Sequence, residues 1–139
     1  MTEFDPLVPE AYRFWAAEHV RFADLDMLGH VNNKAYATYF ETGRISYFAA
    51  RGLSDGPRVG MVMVRLEIDY RKEIVFPATL RVGVRPLKMT RSTLSLACAI
   101  FNGEVCASTS VSTAIRFDPN ARKSTPFSDV ERAALEADL

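Results

Sequence analysis

Residues 21–44, RFADLDMLGHVNNKAYATYFETGR, decide how this 139-residue chain folds. Tyr36, Tyr39, Phe40, Gly43, Tyr47 and Phe48 recur at i, i+3, i+4, i+7, i+11 and i+12, one apolar helical stripe. Asn32 or Asn33 is suited to the N-cap, and Gly52 falls where a left-handed residue ends a helix. The spacing therefore predicts a helix over Asn33–Ala50, about 27 Å long at 1.5 Å per residue. Gly43, costly in mid-helix, predicts close approach to a sheet. Just ahead lie Asp24 and Asp26, then Gly29 and His30. A helix N-terminus offers unpaired N–H groups and the positive end of the helix dipole. A carboxylate beside such an end suits attack on a carbonyl, because the N–H groups stabilise the developing oxyanion.

Outward from the helix the period changes to two. Phe14 to Phe22 reads as a first strand. After a Gly/Pro loop, Val59–Tyr70 reads as a strand, with Val62, Val64, Leu66, Ile68 and Tyr70 on one face and Met61 and Met63 on the other. Leu80, Val82 and Val84 alternate with Arg81, Gly83 and Arg85, and Leu94, Leu96, Cys98 and Ile100 with small residues. Asn102-Gly103 is a strong hairpin signal. Beyond it Val105, Ala107, Thr109, Val111, Thr113 and Ile115 share a face. Ser128 followed by Glu131 is a capping box opening a short helix. One amphipathic helix against a five-stranded antiparallel sheet gives an α+β layer. The stripe runs nearly the full length of the helix, so the sheet is expected to curl around it, in one domain spanning residues 1–139.

Lys plus Arg is 17 and Asp plus Glu is 17, so net charge points to neither nucleic acid nor a membrane surface as partner. A chain of this size buries about 68% of its extended surface, enough for a core. Cys98 and Cys106 fit neither a disulfide framework nor metal-ligand spacing and read as reduced thiols. The N-terminus does not resemble a signal peptide, and no apolar run approaches the roughly 20 residues of a spanning helix. A cytoplasmic location is the expectation. No metal or cofactor is implied.

With the turn, the helix and the strand order together, the chain resembles the hotdog-fold thioesterases of the 4-hydroxybenzoyl-CoA thioesterase type. The resemblance covers about Arg13 to Asp118. It is carried by Phe22-Ala-Asp-Leu-Asp-Met-Leu-Gly-His-Val-Asn-Asn, with Tyr36 and Tyr39-Phe-Glu41, and more weakly by Glu67-Ile-Asp-Tyr-Arg71 and Arg91-Ser92. It implies acyl-CoA hydrolysis, with Asp26 as catalytic carboxylate and the backbone N–H of Asn33 as oxyanion donor. Many relatives carry His where this chain has Asn33, so the implied role there is the backbone's. Asp26 would attack the thioester or deprotonate a water. Gly29, His30, Val31, Tyr36, Tyr70, Arg91 and Ser92 are the expected substrate contacts, Arg91 on the phosphates of CoA. Such relatives pair sheet edges across a two-fold axis. A homodimer or dimer of dimers is therefore expected, in which Arg91 serves the partner's Asp26.

Other side chains have plainer readings. Asp24 is expected to shape the turn, and His19 to be structural. Glu41 is expected to pair with Arg44 at i,i+3. Lys88 and Arg85 are either phosphate ligands or a solvated face. Tyr36, Tyr39 and Phe40 belong to the core first. Two other functions use the same fold: a hydratase or dehydratase on acyl thioesters, and a non-catalytic acyl-thioester binding protein. The D-x-D-x-x-G-x-V pattern favours hydrolysis.

Overall fold

In a computed structural model, which describes residues 4–55 and 58–139, five strands build the sheet. They are β1 (Phe14–His19), β2 (Met61–Tyr70), β3 (Thr79–Met89), β4 (Thr93–Asn102) and β5 (Val105–Asp118). Helix α1 (Asn33–Ala50) separates β1 from β2, and α2 (Asp129–Glu136) follows the sheet. The strands lie in the order β1-β3-β4-β5-β2, every neighbour antiparallel, with β1 and β2 at the edges. Lys123–Ser124 pairs briefly with the end of β5, and Ser54–Asp55 with Arg58–Val59. The sheet curled around one helix is thus formed as expected.

Helix α1 has the bounds its stripe predicts. The Asn32 side chain accepts the N–H of Lys34 at 3.0 Å, and Gly52 adopts φ 79° at the other end. The helix lies over β1, β3 and β4. Tyr39, Phe40 and Tyr47 are fully buried there, each worth about 2–3 kcal/mol in apolar transfer. A Cβ on Gly43 would stand 2.5 Å from Val82 Cγ1, so the glycine is what lets helix and sheet close up. Glu18 of β1 is also buried, and its Oε2 accepts the Thr42 hydroxyl at 2.7 Å, tying β1 to the helix.

Three expectations need correction. The first strand stops at His19, and Phe22–Asp24 form a 3₁₀ turn because the chain must leave the sheet to reach the helix. Val59 pairs with Ser54 instead of extending β2. Within β2 the register slips between Met63 and Arg65. That bulge reverses which residues face the helix. Met61 and Met63 share the helix side with Leu66, Ile68 and Tyr70, whereas Val62 lies on the outer face.

β5 presents Ser108, Ser110, Ser112 and Ala114 to the helix side, opposite Ile100, Cys98, Leu96 and Leu94. Its Thr109, Val111 and Thr113 stripe faces outward. That outer face carries a second cluster, in which Tyr12 packs edge-on against Trp15 and Phe101 at 6.0 Å. α2 docks at the opposite end of the sheet from Asp26. Arg116 holds Glu131 at 3.1 and 3.0 Å, and Asp138 takes Arg51 Nε at 2.6 Å and the Tyr47 hydroxyl at 2.7 Å.

Candidate active site

Residues 24–32 form a closed hairpin-like turn. Asn32 N–H donates to the Asp24 carbonyl at 2.8 Å, and Asp26 N–H to the His30 carbonyl at 2.9 Å. Leu25 and Val31 face each other across it. Gly29 sits at φ 82°, which a side chain would strain, and its N–H returns to the Asp26 carbonyl at 3.1 Å. Asp24 Oδ2 accepts the Arg21 N–H at 3.0 Å and the buried Tyr39 hydroxyl at 2.5 Å. Asp24 therefore shapes the turn, as expected of it. Burial and the Asp24 carboxylate together push the Tyr39 phenol well above its ordinary value.

This turn holds Asp26 immediately before α1. Its carboxylate is exposed; Oδ1 accepts the Leu28 N–H at 2.9 Å, and Oδ2 has no partner among the described residues. At the helix start, the Lys34 N–H goes to the Asn32 side chain and the Ala35 N–H to the Asn32 carbonyl. The Asn33 N–H forms no hydrogen bond among the described residues. So a carboxylate with one open oxygen is held in the turn that closes onto the start of an 18-residue helix, whose first amide is unclaimed at the positive end of the dipole.

A buttress behind the turn was not foreseen. The segment between β2 and β3 meets it repeatedly: Val31 N–H donates to the Ile74 carbonyl at 2.8 Å, His30 Nε2 pairs with Glu73 Oε2 at 3.0 Å, and Phe22 stacks edge-on against Phe76 at 5.7 Å. The Tyr36 hydroxyl donates to the Lys72 carbonyl at 2.9 Å. Only the aromatic-Pro pair Phe76-Pro77 marked this segment as a defined loop in the sequence. Val31 and Tyr36 are buried, whereas Tyr70 is half exposed, its hydroxyl 3.3 Å from the Asn33 carbonyl oxygen. Asp26, Gly29, His30, Val31, Asn33, Tyr36 and Tyr70 are thus gathered at one end of the sheet.

Arg91 and Ser92 are not. They turn the chain from β3 to β4, while β1 pairs His19, the residue nearest the Asp26 turn, with Thr79 at the start of β3. β3 runs for 11 residues between the two places, about 33 Å at strand rise. Arg85 is corrected outright as a phosphate ligand: it is buried, donates to the Ala11 carbonyl at 2.8 Å and lies 4.5 Å over the Phe4 ring. Lys88 stays exposed. The Glu41–Arg44 pair does not form either; Glu41 faces solvent while Arg44 turns inward and is 5% exposed. His19 is structural, its Nδ1 3.3 Å from the Thr79 hydroxyl. Cys98 and Cys106 are both free thiols.

Similar proteins carry this architecture. An uncharacterized protein of Bacillus subtilis strain 168, YsmA, is 29% identical over 128 residues, 90% of this chain and 86% of that one. A thioesterase from Thermus thermophilus, solved in complex with coenzyme A and zinc, is 28% identical with a TM-score of 0.80, over 89% of this chain and 98% of that one. The PA5185 protein of Pseudomonas aeruginosa PAO1 matches in fold, at 24% identity and a TM-score of 0.86, over 95% of each chain. These two solved structures share the hotdog fold seen here. The sequence model of the thioesterase-like superfamily matches residues 20–135, from the turn that holds Asp26 through the sheet and into α2, and the chain belongs to that superfamily.

Proposed function

We propose that this protein is an acyl-CoA thioesterase, cleaving the thioester to the free acid and CoA. The observation that carries the reading is the open carboxylate of Asp26 beside the unclaimed N–H of Asn33. The substrate carbonyl accepts that N–H, and the helix dipole favours the negative charge that grows on its oxygen. Asp26 then acts in one of two ways. As nucleophile it attacks the carbonyl carbon, expels CoA thiolate and leaves an anhydride that water opens. As general base it takes a proton from a water that attacks the same carbon, again expelling thiolate. Thiolate departs without strong acid assistance, which suits a turn whose only other titratable side chains are Asp24 and His30, both already engaged.

The reading includes a second copy. β2 is an edge strand of 10 residues, with Met63, Val64 and Tyr70 42–55% exposed. Such an edge invites pairing. Antiparallel pairing of β2 with its own copy would bring the far end of one protomer beside the Asp26 end of the other. Arg91 would then reach the partner's substrate, its guanidinium suited to the phosphates of CoA. The bound coenzyme A of the Thermus relative supports CoA as the carrier. Thiol release from a panel of aliphatic, aromatic and carboxylated acyl-CoAs tests the reading. Turnover of some members is expected. Stoichiometric binding without thiol release would contradict hydrolysis in favour of an acyl-thioester binding protein, and water addition to an enoyl-CoA would favour the hydratase.

A further inference from the structure

Two tyrosines of α1 each hold an aspartate by its carboxylate, and both are fully buried. The Tyr47 hydroxyl donates to Asp138 Oδ2 at 2.7 Å, where the segment after α2 meets the helix. The Tyr39 hydroxyl donates to Asp24 Oδ2 at 2.5 Å, at the base of the turn that carries Asp26. Phenylalanine would fill either place with the same ring, so core packing accounts for the ring and leaves the hydroxyl unexplained. A hydroxyl donating to a carboxylate makes a short, strong bond. The Tyr47 bond has an evident use, the docking of the C-terminal segment. The Tyr39 bond docks no separate element; it ties α1 to the turn that leads into it.

That tie closes a ring. The Asp24 carbonyl accepts the Asn32 N–H at 2.8 Å, and Asn33 follows as the first residue of the helix. Tyr39 lies six residues further on, about 9 Å along α1. The ring therefore runs from Asn33 along the helix to Tyr39, across to Asp24, and back through Asn32. Asp26, two residues from Asp24, donates its N–H to the His30 carbonyl inside the same turn. The segment 72–76 holds the His30 and Val31 side of the turn. On the other side, the Asp24 carboxylate is held by Arg21 and Tyr39. Arg21 is itself 3.7 Å from Glu18, which takes the Thr42 hydroxyl of α1. Met27 and Leu28, at the tip, project into solvent, so the turn is fixed from its base.

We propose that the Tyr39 hydroxyl is a positioning group for the reaction: through Asp24 it fixes the turn on α1 and so sets where the Asp26 carboxylate stands relative to the Asn33 N–H. The proposal rests on the thioesterase reading and adds to it a buried residue that touches no substrate. Attack on a carbonyl held by one amide depends steeply on the placement of the attacking group, and a shift of about 1 Å can cost about 10²-fold. Burial and the Asp24 carboxylate both keep the Tyr39 phenol protonated, so it stays a donor to Asp24.

The test compares Tyr39→Phe with Tyr47→Phe, which loses the matching bond at the far end of the same helix. With the best acyl-CoA of the panel, Tyr39→Phe should lower kcat by about tenfold or more and leave KM within about twofold. Tyr47→Phe should keep kcat, whatever it does to the melting temperature. Equal losses of kcat in the two variants would reduce Tyr39 to a stability role and overturn the proposal. An unchanged kcat in Tyr39→Phe would overturn it and leave the thioesterase reading standing. A double-mutant cycle identifies the route: in an Asp24→Ala background Tyr39→Phe should cost less than about twofold more, and a full second loss would show that Tyr39 does not act through Asp24. Absence of turnover by the wild type on every thioester would overturn hydrolysis itself. Amide hydrogen exchange reads the positioning without any substrate. Tyr39→Phe should speed exchange at Asn32 and Asp26 by about tenfold or more while Tyr47→Phe does not, and unchanged exchange at both amides would overturn the proposal.

Discussion

At the scale of single residues, Asn33 offers a clean separation of backbone from side chain. It is the first residue of α1, where proline is tolerated because its missing N–H has no partner within the helix. Asn32, at φ −63° and ψ 144°, already has the extended conformation that a following proline demands. Asn33→Pro should therefore fold and keep its melting temperature within a few degrees while kcat falls by roughly 10²–10³, the cost of one oxyanion donor. Asn33→Ala should change kcat by less than about fivefold, since only an exposed side chain is lost. Equal activity of both variants would remove the N–H from the mechanism. Asp26, Asn33 and the glycine that turns the chain between them were legible in the sequence because they lie within one short stretch. Arg44 was not. Its spacing from Glu41 fits a surface pair as well as an inward turn, and only the packing of α1 against the sheet decides between them.

At the scale of elements, Gly43 and Asp138 carry testable energies. Alanine normally improves a helix by about 1 kcal/mol over glycine. Here its Cβ would meet Val82 Cγ1 at 2.5 Å, and overpacking costs about 1–3 kcal/mol. Gly43→Ala should lower the melting temperature by several degrees; a rise would show that α1 and β3 can separate freely. Burial works to raise the Asp138 carboxyl, but the Arg51 guanidinium and Tyr47 hydroxyl outweigh it and hold the group below its ordinary value of 3.8. A depressed carboxyl stabilises the fold above that ordinary value and loses its contribution as pH falls through the lower, folded one. Asp138→Asn should therefore cost about 1–2 kcal/mol at neutral pH, and the penalty should fade in acid. A pH-independent penalty in chemical denaturation would assign Asp138 to packing alone. The helix bounds and the hairpin at Asn102-Gly103 were readable because cap, stripe and turn residues agree. The bulge in β2 was not, since Met61-Val62-Met63-Val64 is apolar at every position and offers no period to break.

At the scale of the molecule, the proposed site is divided. Asp26 and Arg91 lie at opposite ends of one sheet, a relation no sequence periodicity reveals, because it depends on strand order. No helix among the described residues is long and apolar enough to cross a membrane, and the β2 edge is where the proposed second copy would pair. Light scattering with size exclusion should give a dimer or a dimer of dimers, not 15.5 kDa. Subunit exchange offers a sharper check. Asp26→Asn and Arg91→Ala proteins, each impaired alone, should regain activity toward about a quarter of wild type when equal amounts exchange subunits, because about half the dimers are then mixed and each of those holds one intact site of two. No recovery after demonstrated exchange would return both residues to a single protomer or remove Arg91 from the site.

The claim on which all of this depends is that Asp26 performs the chemistry. Asp26→Asn preserves shape and the Oδ1 contact to Leu28 while removing the negative charge. The direct measurement is single-turnover thiol release from the best acyl-CoA of the panel, by wild type and by this variant, with folding checked by circular dichroism. A fall of about 10³-fold or more, roughly 4 kcal/mol of transition-state stabilisation, is the predicted result. Retention of more than about a tenth of the wild-type rate, a loss below about 1.4 kcal/mol, would contradict it.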